Sequence, residues 1–147
     1  MRLLVDCAPL SVGGGVQVAI AFLLNLQVRP DIKWLAVLSE QVRTAVGPAL
    51  AADPRIVFVR KQSLTDFAVL NRRLAAIEKA FAPDVVFTVF GPTYFRTGAP
   101  NLMGFALPHL IYDGDCPQTK RSVRDRAADQ ARTFLLRRAD QDRKSVV

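Results

Sequence analysis

The chain has 147 residues, half of them hydrophobic and 22% charged, which suits one domain with a buried core and argues against disorder over most of the chain. Its net charge of +7 is unevenly placed: residues 117–147 hold nine Lys/Arg against four Asp, so +5 belongs to that stretch and +2 to the rest. Two cysteines without a CxxC pair and a single histidine exclude a Cys/His zinc centre, and Asp6 interrupts the apolar opening that a signal peptide needs.

The first run, "RLLVDC" at residues 2–7, predicts a buried strand with Cys7 as a reduced core residue. Then comes "SVGGGVQVAIAFLLNL". Its apolar part, from Val16 to Leu26, is too short for a membrane span of ~20 residues and contains Gln17 and Asn25, so it predicts a buried helix over residues 16–27. "WLAVLS" predicts a second strand over residues 34–39. Residues 40–52 predict a weak helix interrupted near Gly47 and Pro48. "RIVFVR" alternates and predicts an edge or half-exposed third strand.

The strongest helical pattern begins at Ser63, which with Asp66 forms a capping-box spacing. Phe67, Leu70, Leu74, Ile77 and Phe81 make one apolar face, and Pro83 stops the run. "DVVFTVFG" at residues 84–91 predicts a fully buried strand, and "NLMGFAL" at 101–107 predicts a fifth. A last helix is expected over residues 118–138. Strands alternating with helices imply an α/β fold with a parallel sheet, covered on both faces, whose ligands bind beyond the carboxyl ends of the strands.

Gly13, Gly14 and Gly15 follow the first strand and open a helix. Free N–H groups and the helix dipole make such a terminus an anion site, and glycine lets a phosphate approach the backbone. A flexible turn explains the same residues equally well. A dinucleotide fingerprint fits less well: its third glycine is Val18, and residues 8–12 separate the strand from Gly13. Glu40 nevertheless ends the second strand where a ribose-binding acid would stand, so an NAD(P)-dependent oxidoreductase remains the alternative.

The order strand, loop, "GGGVQVAIAFLLNL", then "PDVVFTVFGPTYFR" and "NLMGFALPHLIY", closing on "FLLRRAD", resembles the N-terminal domain of family 4 retaining glycosyltransferases over residues 1–140. The resemblance implies a Rossmann-like parallel sheet forming the acceptor-side half of a GT-B fold. It also implies sugar transfer from a nucleotide-sugar donor to a glycan or lipid-linked acceptor, with no cofactor and no metal. Gly13, Gly14 and Gly15 match the loop that reaches toward the donor diphosphate, whose developing charge N–H donors would stabilise. His109, just past the fifth strand, matches a histidine that contacts the donor sugar in the family; packing beside Pro108 is the other reading. Tyr94, Arg96 and Asp113 are candidate acceptor contacts, each also explained by loop packing or a solvated turn.

The resemblance further implies a second, donor-binding domain, so the 147-residue chain by itself is expected to fold at least partly and to show no transferase activity. Residues 141–147 are expected to be a non-native tail, because "DRKSVV" is what one frame of a common sequencing adapter encodes. The basic helix, with Lys120, Arg121 and Arg124, reads as a solvated face or as a peripheral contact with anionic membrane. Nucleic acid is not expected, since no basic stripe or aromatic platform accompanies it. A cytoplasmic protein fits this set, at the inner face of the membrane if that contact forms. A non-catalytic membrane-surface binding module is the third reading.

Overall fold

The computed structural model describes residues 1–11, 13–60, 66–91 and 93–104. The chain divides into two units, residues 1–104 and 105–147; all described residues lie in the first. That unit is α/β, with five parallel strands in the order β3-β2-β1-β4-β5 and helices on both faces, a Rossmann-like arrangement.

β1 (Arg2–Cys7) is central, and everything after Arg2 is buried. Its unbroken apolar character follows from being covered on both faces. Side chains alternate between two cores. Leu3, Val5 and Cys7 join the core under α1 (Gly14–Gln27), with Val16, Ala19, Leu23 and Leu26. Leu4 and Ala8 join the core under α3 (Asp66–Phe81), with Leu70 and Leu74. Cys7 is a free, buried thiol, as expected.

β2 (Lys33–Ser39) carries Trp34, whose indole N–H donates to the Leu26 carbonyl at 3.1 Å. The same carbonyl accepts the backbone N–H groups of Val28 and Arg29, so the indole bond ties the closing turn of α1 to the strand.

The weak helix expected over residues 40–52 is instead two pieces. A 3-10 turn (Glu40–Val42), capped by the Ser39 hydroxyl accepting from the Gln41 N–H, is separated by turns from α2 (Gly47–Ala51). Gly47 has φ +75° and Pro48 follows it. A positive φ cannot continue a right-handed helix, whereas proline suits the first turn of a new one. The interruption therefore becomes a restart.

β3 (Ile56–Val59) is an edge strand, as its alternation predicted. In α3, Leu70 and Leu74 are buried while Ile77 and Phe81 pack partly buried against the same core. The expected cap at Ser63 lies outside the described residues. Ala82, at φ +47°, donates its N–H to the Glu78 carbonyl at 2.7 Å and closes the helix before Pro83.

β4 (Val85–Thr88) is shorter than the expected 84–91 and only alternately buried. Past Thr88 the chain bends, and Gly104 packs so closely that a Cβ there would stand 2.1 Å from the Val89 carbonyl oxygen. β5 (Asn101–Met103) forms the other edge, with Leu102 57% exposed. Among the described residues, no helix is long and apolar enough to cross a membrane.

Candidate functional site at the carboxyl end of the sheet

The loop from β1 to α1, residues 8–13, leaves the sheet at its carboxyl end. It turns through a Leu10 N–H bond to the Cys7 carbonyl and delivers Gly13 as the residue before α1. Gly13 has φ +82° and ψ −161°, a conformation that side-chain-bearing residues rarely adopt. Among the described residues no side chain caps the helix, and its first turn carries no acid.

The three glycines are held for different reasons. Gly13 is conformational. At Gly15 a Cβ would lie 3.0 Å from Phe90 Cδ2 and 3.2 Å from Leu10 Cδ2, so this glycine allows α1 to pack against the end of β4. A Cβ on Gly14 would meet nothing within 4 Å. Among the described residues, neither a positive φ nor a close neighbour requires glycine there.

Phe90 places the connection after β4 beside the glycine turn. Farther along that connection, Tyr94 packs partly buried against the α3-side core, and its carbonyl accepts from the Asn71 side-chain amide at 2.8 Å. Arg96 is exposed. Tyr94 thus belongs to the other face of the sheet from α1, whereas Phe90 stands beside Gly15. His109, Asp113, Lys120, Arg121 and Arg124 lie outside the described residues.

Glu40 sits beyond β2, where a ribose contact would be sought, but its carboxylate is gripped by Arg43, and the Arg43 guanidinium stacks 4.0 Å over the Phe58 ring. The Arg43 hydrogen bonds hold the Glu40 carboxyl below its usual range.

The sequence reading gave Asp6 no role beyond interrupting an apolar run. In the structure it is 1% exposed on the central strand. Oδ1 accepts the Ala8 N–H at 3.0 Å, while Oδ2 has no hydrogen-bond partner. Burial pushes the carboxyl up to about 6, against smaller opposing effects from the Ala8 N–H and the Thr88 hydroxyl. Thr88 is the register neighbour of Asp6 on β4 and is close enough to favour the ionised form, yet it does not complete a bond to Oδ2. The Cys7 thiol is raised well above its ordinary value by burial and then by Asp6, which makes it a poor nucleophile. A charge-bearing residue amid "RLLVDC" was the available signal: a carboxylate on a strand covered on both faces needs a partner.

Among the described residues, no three His, Cys, Asp or Glu side chains come together as a metal site. Compared with protein-family models, characterised proteins and solved structures, the chain finds no match.

Proposed function

We propose that this chain forms the acceptor-side domain of a glycosyltransferase, working with a nucleotide-sugar donor and a glycan or lipid-linked acceptor. The observation that carries the reading is Gly14. It opens α1 at the carboxyl end of the sheet behind a glycine N-cap that makes no side-chain cap bond, and among the described residues no atom lies within 4 Å of where its Cβ would be. An N–H-bearing helix terminus so disposed suits a diphosphate that gains charge as it leaves. The oxidoreductase reading is disfavoured by the residues 8–13 between strand and helix and by the engagement of Glu40 with Arg43. In this proposal His109 contacts the donor sugar, and Tyr94, Arg96 and Asp113 are acceptor contacts.

Amide NMR tests the reading. Uridine or guanosine diphosphate added to the labelled chain is expected to shift the amides of residues 13–16, and G14V is expected to abolish the response by filling the open space. Shifts produced by NAD, with none from either nucleoside diphosphate, would overturn the proposal in favour of the oxidoreductase.

A further inference from the structure

The α3 side of the sheet holds a polar group that the proposed reaction does not use. Leu4 and Ala8 face this core, so by alternation Asp6 faces it too, and Val86 places Thr88 there likewise. Thr88, fully buried, has its hydroxyl 2.8 Å from that of Thr93 and 3.4 Å from the Asn101 side-chain oxygen. The Asn101 amide donates to the Thr93 hydroxyl at 2.9 Å. These three side chains close a ring between β4, the connection after it and β5, and Asp6 Oδ2 stands unpartnered beside it.

We propose that Asp6 is a proton-operated latch on this ring, and that its ionisation state sets the direction of the Thr88 hydroxyl and so the tightness of the connection that carries Thr93, Tyr94 and Arg96.

The hydrogen count distinguishes two arrangements. Oδ1 is committed to the Ala8 N–H as an acceptor, so a proton on Asp6 resides on Oδ2. In the neutral state Oδ2–H donates to Thr88 Oγ1. That oxygen also accepts from Thr93, and the Thr88 proton goes to Asn101, whose amide donates to Thr93. Every member is then satisfied. When Oδ2 gives its proton to solvent hydroxide or a buffer base, the buried carboxylate must be solvated. The Thr88 O–H is the donor at hand, and turning it to Asp6 withdraws it from Asn101. The chain then loses one link between β4 and β5.

No other ionisable side chain among the described residues enters the causes of the Asp6 shift. Cys7, its neighbour on β1, stays a thiol throughout. Asp6 has Val37 as its register partner on β2, β4 supplies Thr88, and Glu78 of α3 is engaged with the N–H groups of Gly98 and Ala99. Tyr94 and Arg96 lie on the connection itself.

The test is a pH titration of the full chain by carbon-detected NMR. The Asp6 side-chain carboxyl is expected to titrate near pH 6, about two units above its ordinary 3.8, with the Thr93 and Asn101 side-chain signals moving at the same midpoint. In D6N those movements should vanish. T88V should move the Asp6 midpoint higher still, because the hydroxyl that favours the ionised form is gone, and should leave Thr93 unresponsive. A midpoint near 4, or Thr93 and Asn101 signals that stay fixed while Asp6 titrates, would overturn the latch. The wild-type titration decides the matter even if either variant fails to fold.

Discussion

One oxygen of the Glu78 carboxylate, Oε1, accepts the backbone N–H of Gly98 at 2.8 Å and also that of Ala99 at 3.0 Å. α3 thereby holds the connection between β4 and β5 at a second point, after the Asn71 bond to the Tyr94 carbonyl. Bonds to a charged acceptor contribute about 1.5–3 kcal/mol each, less where solvent can replace them, as at exposed Gly98. Glu78→Ala is expected to lower unfolding free energy by about 2 kcal/mol in urea and to speed amide exchange at residues 98 and 99. Glu78→Gln keeps an accepting oxygen and should lose about half as much.

The glycine series separates conformation, packing and openness. Gly13→Ala should cost about 1–3 kcal/mol, the strain of a positive φ. Gly15→Ala should cost about 1 kcal/mol by pressing on Phe90 and Leu10. Gly14→Ala should fall within about 0.5 kcal/mol of the parent. Denaturation midpoints check the ranking; a large loss at Gly14 would mean that its surroundings are not open.

Stability should peak near pH 4. The folded-state pKa of Asp6 is raised from 3.8 to about 6, so the native chain binds more protons than the unfolded chain between those values. Stability therefore falls as pH rises through that window, by about 3 kcal/mol. Asp53 acts in the opposite sense. The Arg55 guanidinium holds its carboxyl well below the usual range, so its contribution is present above 3.8 and is lost as pH falls. Urea midpoints from pH 3 to 8 test this, and D6N should remove the decline between pH 4 and 6 while leaving the acid limb.

Arg55 gives two side-chain N–H bonds to Asp53, at 2.9 and 2.7 Å, while lying 4.0 Å over the Trp34 ring. A lysine ammonium keeps the charge but not the planar fork. Arg55→Lys is expected to cost about 1 kcal/mol, most of it surviving in 1 M salt because the stacked guanidinium is the larger loss. Full loss on adding salt to the parent would show the ion pair to be dominant.

Local patterns carried much of this fold. The continuous apolar run of β1 and the 3.6-residue stripe of Leu70 and Leu74 each announced their element because burial dictates composition along the chain. The break between Val42 and Gly47 was visible as Gly-Pro, but not the restart, which depends on the sign of one φ angle. The position of the glycines between the first strand and the first helix was legible, but their separate structural reasons were not, since Phe90 approaches Gly15 from beyond β4. Asp6 was least legible. Its significance comes from Thr88, paired with it only because β1 and β4 lie side by side in the sheet.

α1 carries no ionisable side chain along its whole length. Its seam with the sheet consists of Val16, Ala19, Leu23 and Leu26, so neither acid nor salt has a charge to act upon there. The opposite layer contains Asp6 and Glu78. The charges nearest α1 stand at its far end, where the Gln27 amide bonds Asp53, whereas the Asp6 carboxyl is buried within the α3-side layer. Spectroscopic probes placed along α1 between Val16 and Leu23, away from Asp53, would serve as an internal reference against which a change on the α3 side is read within the same molecule.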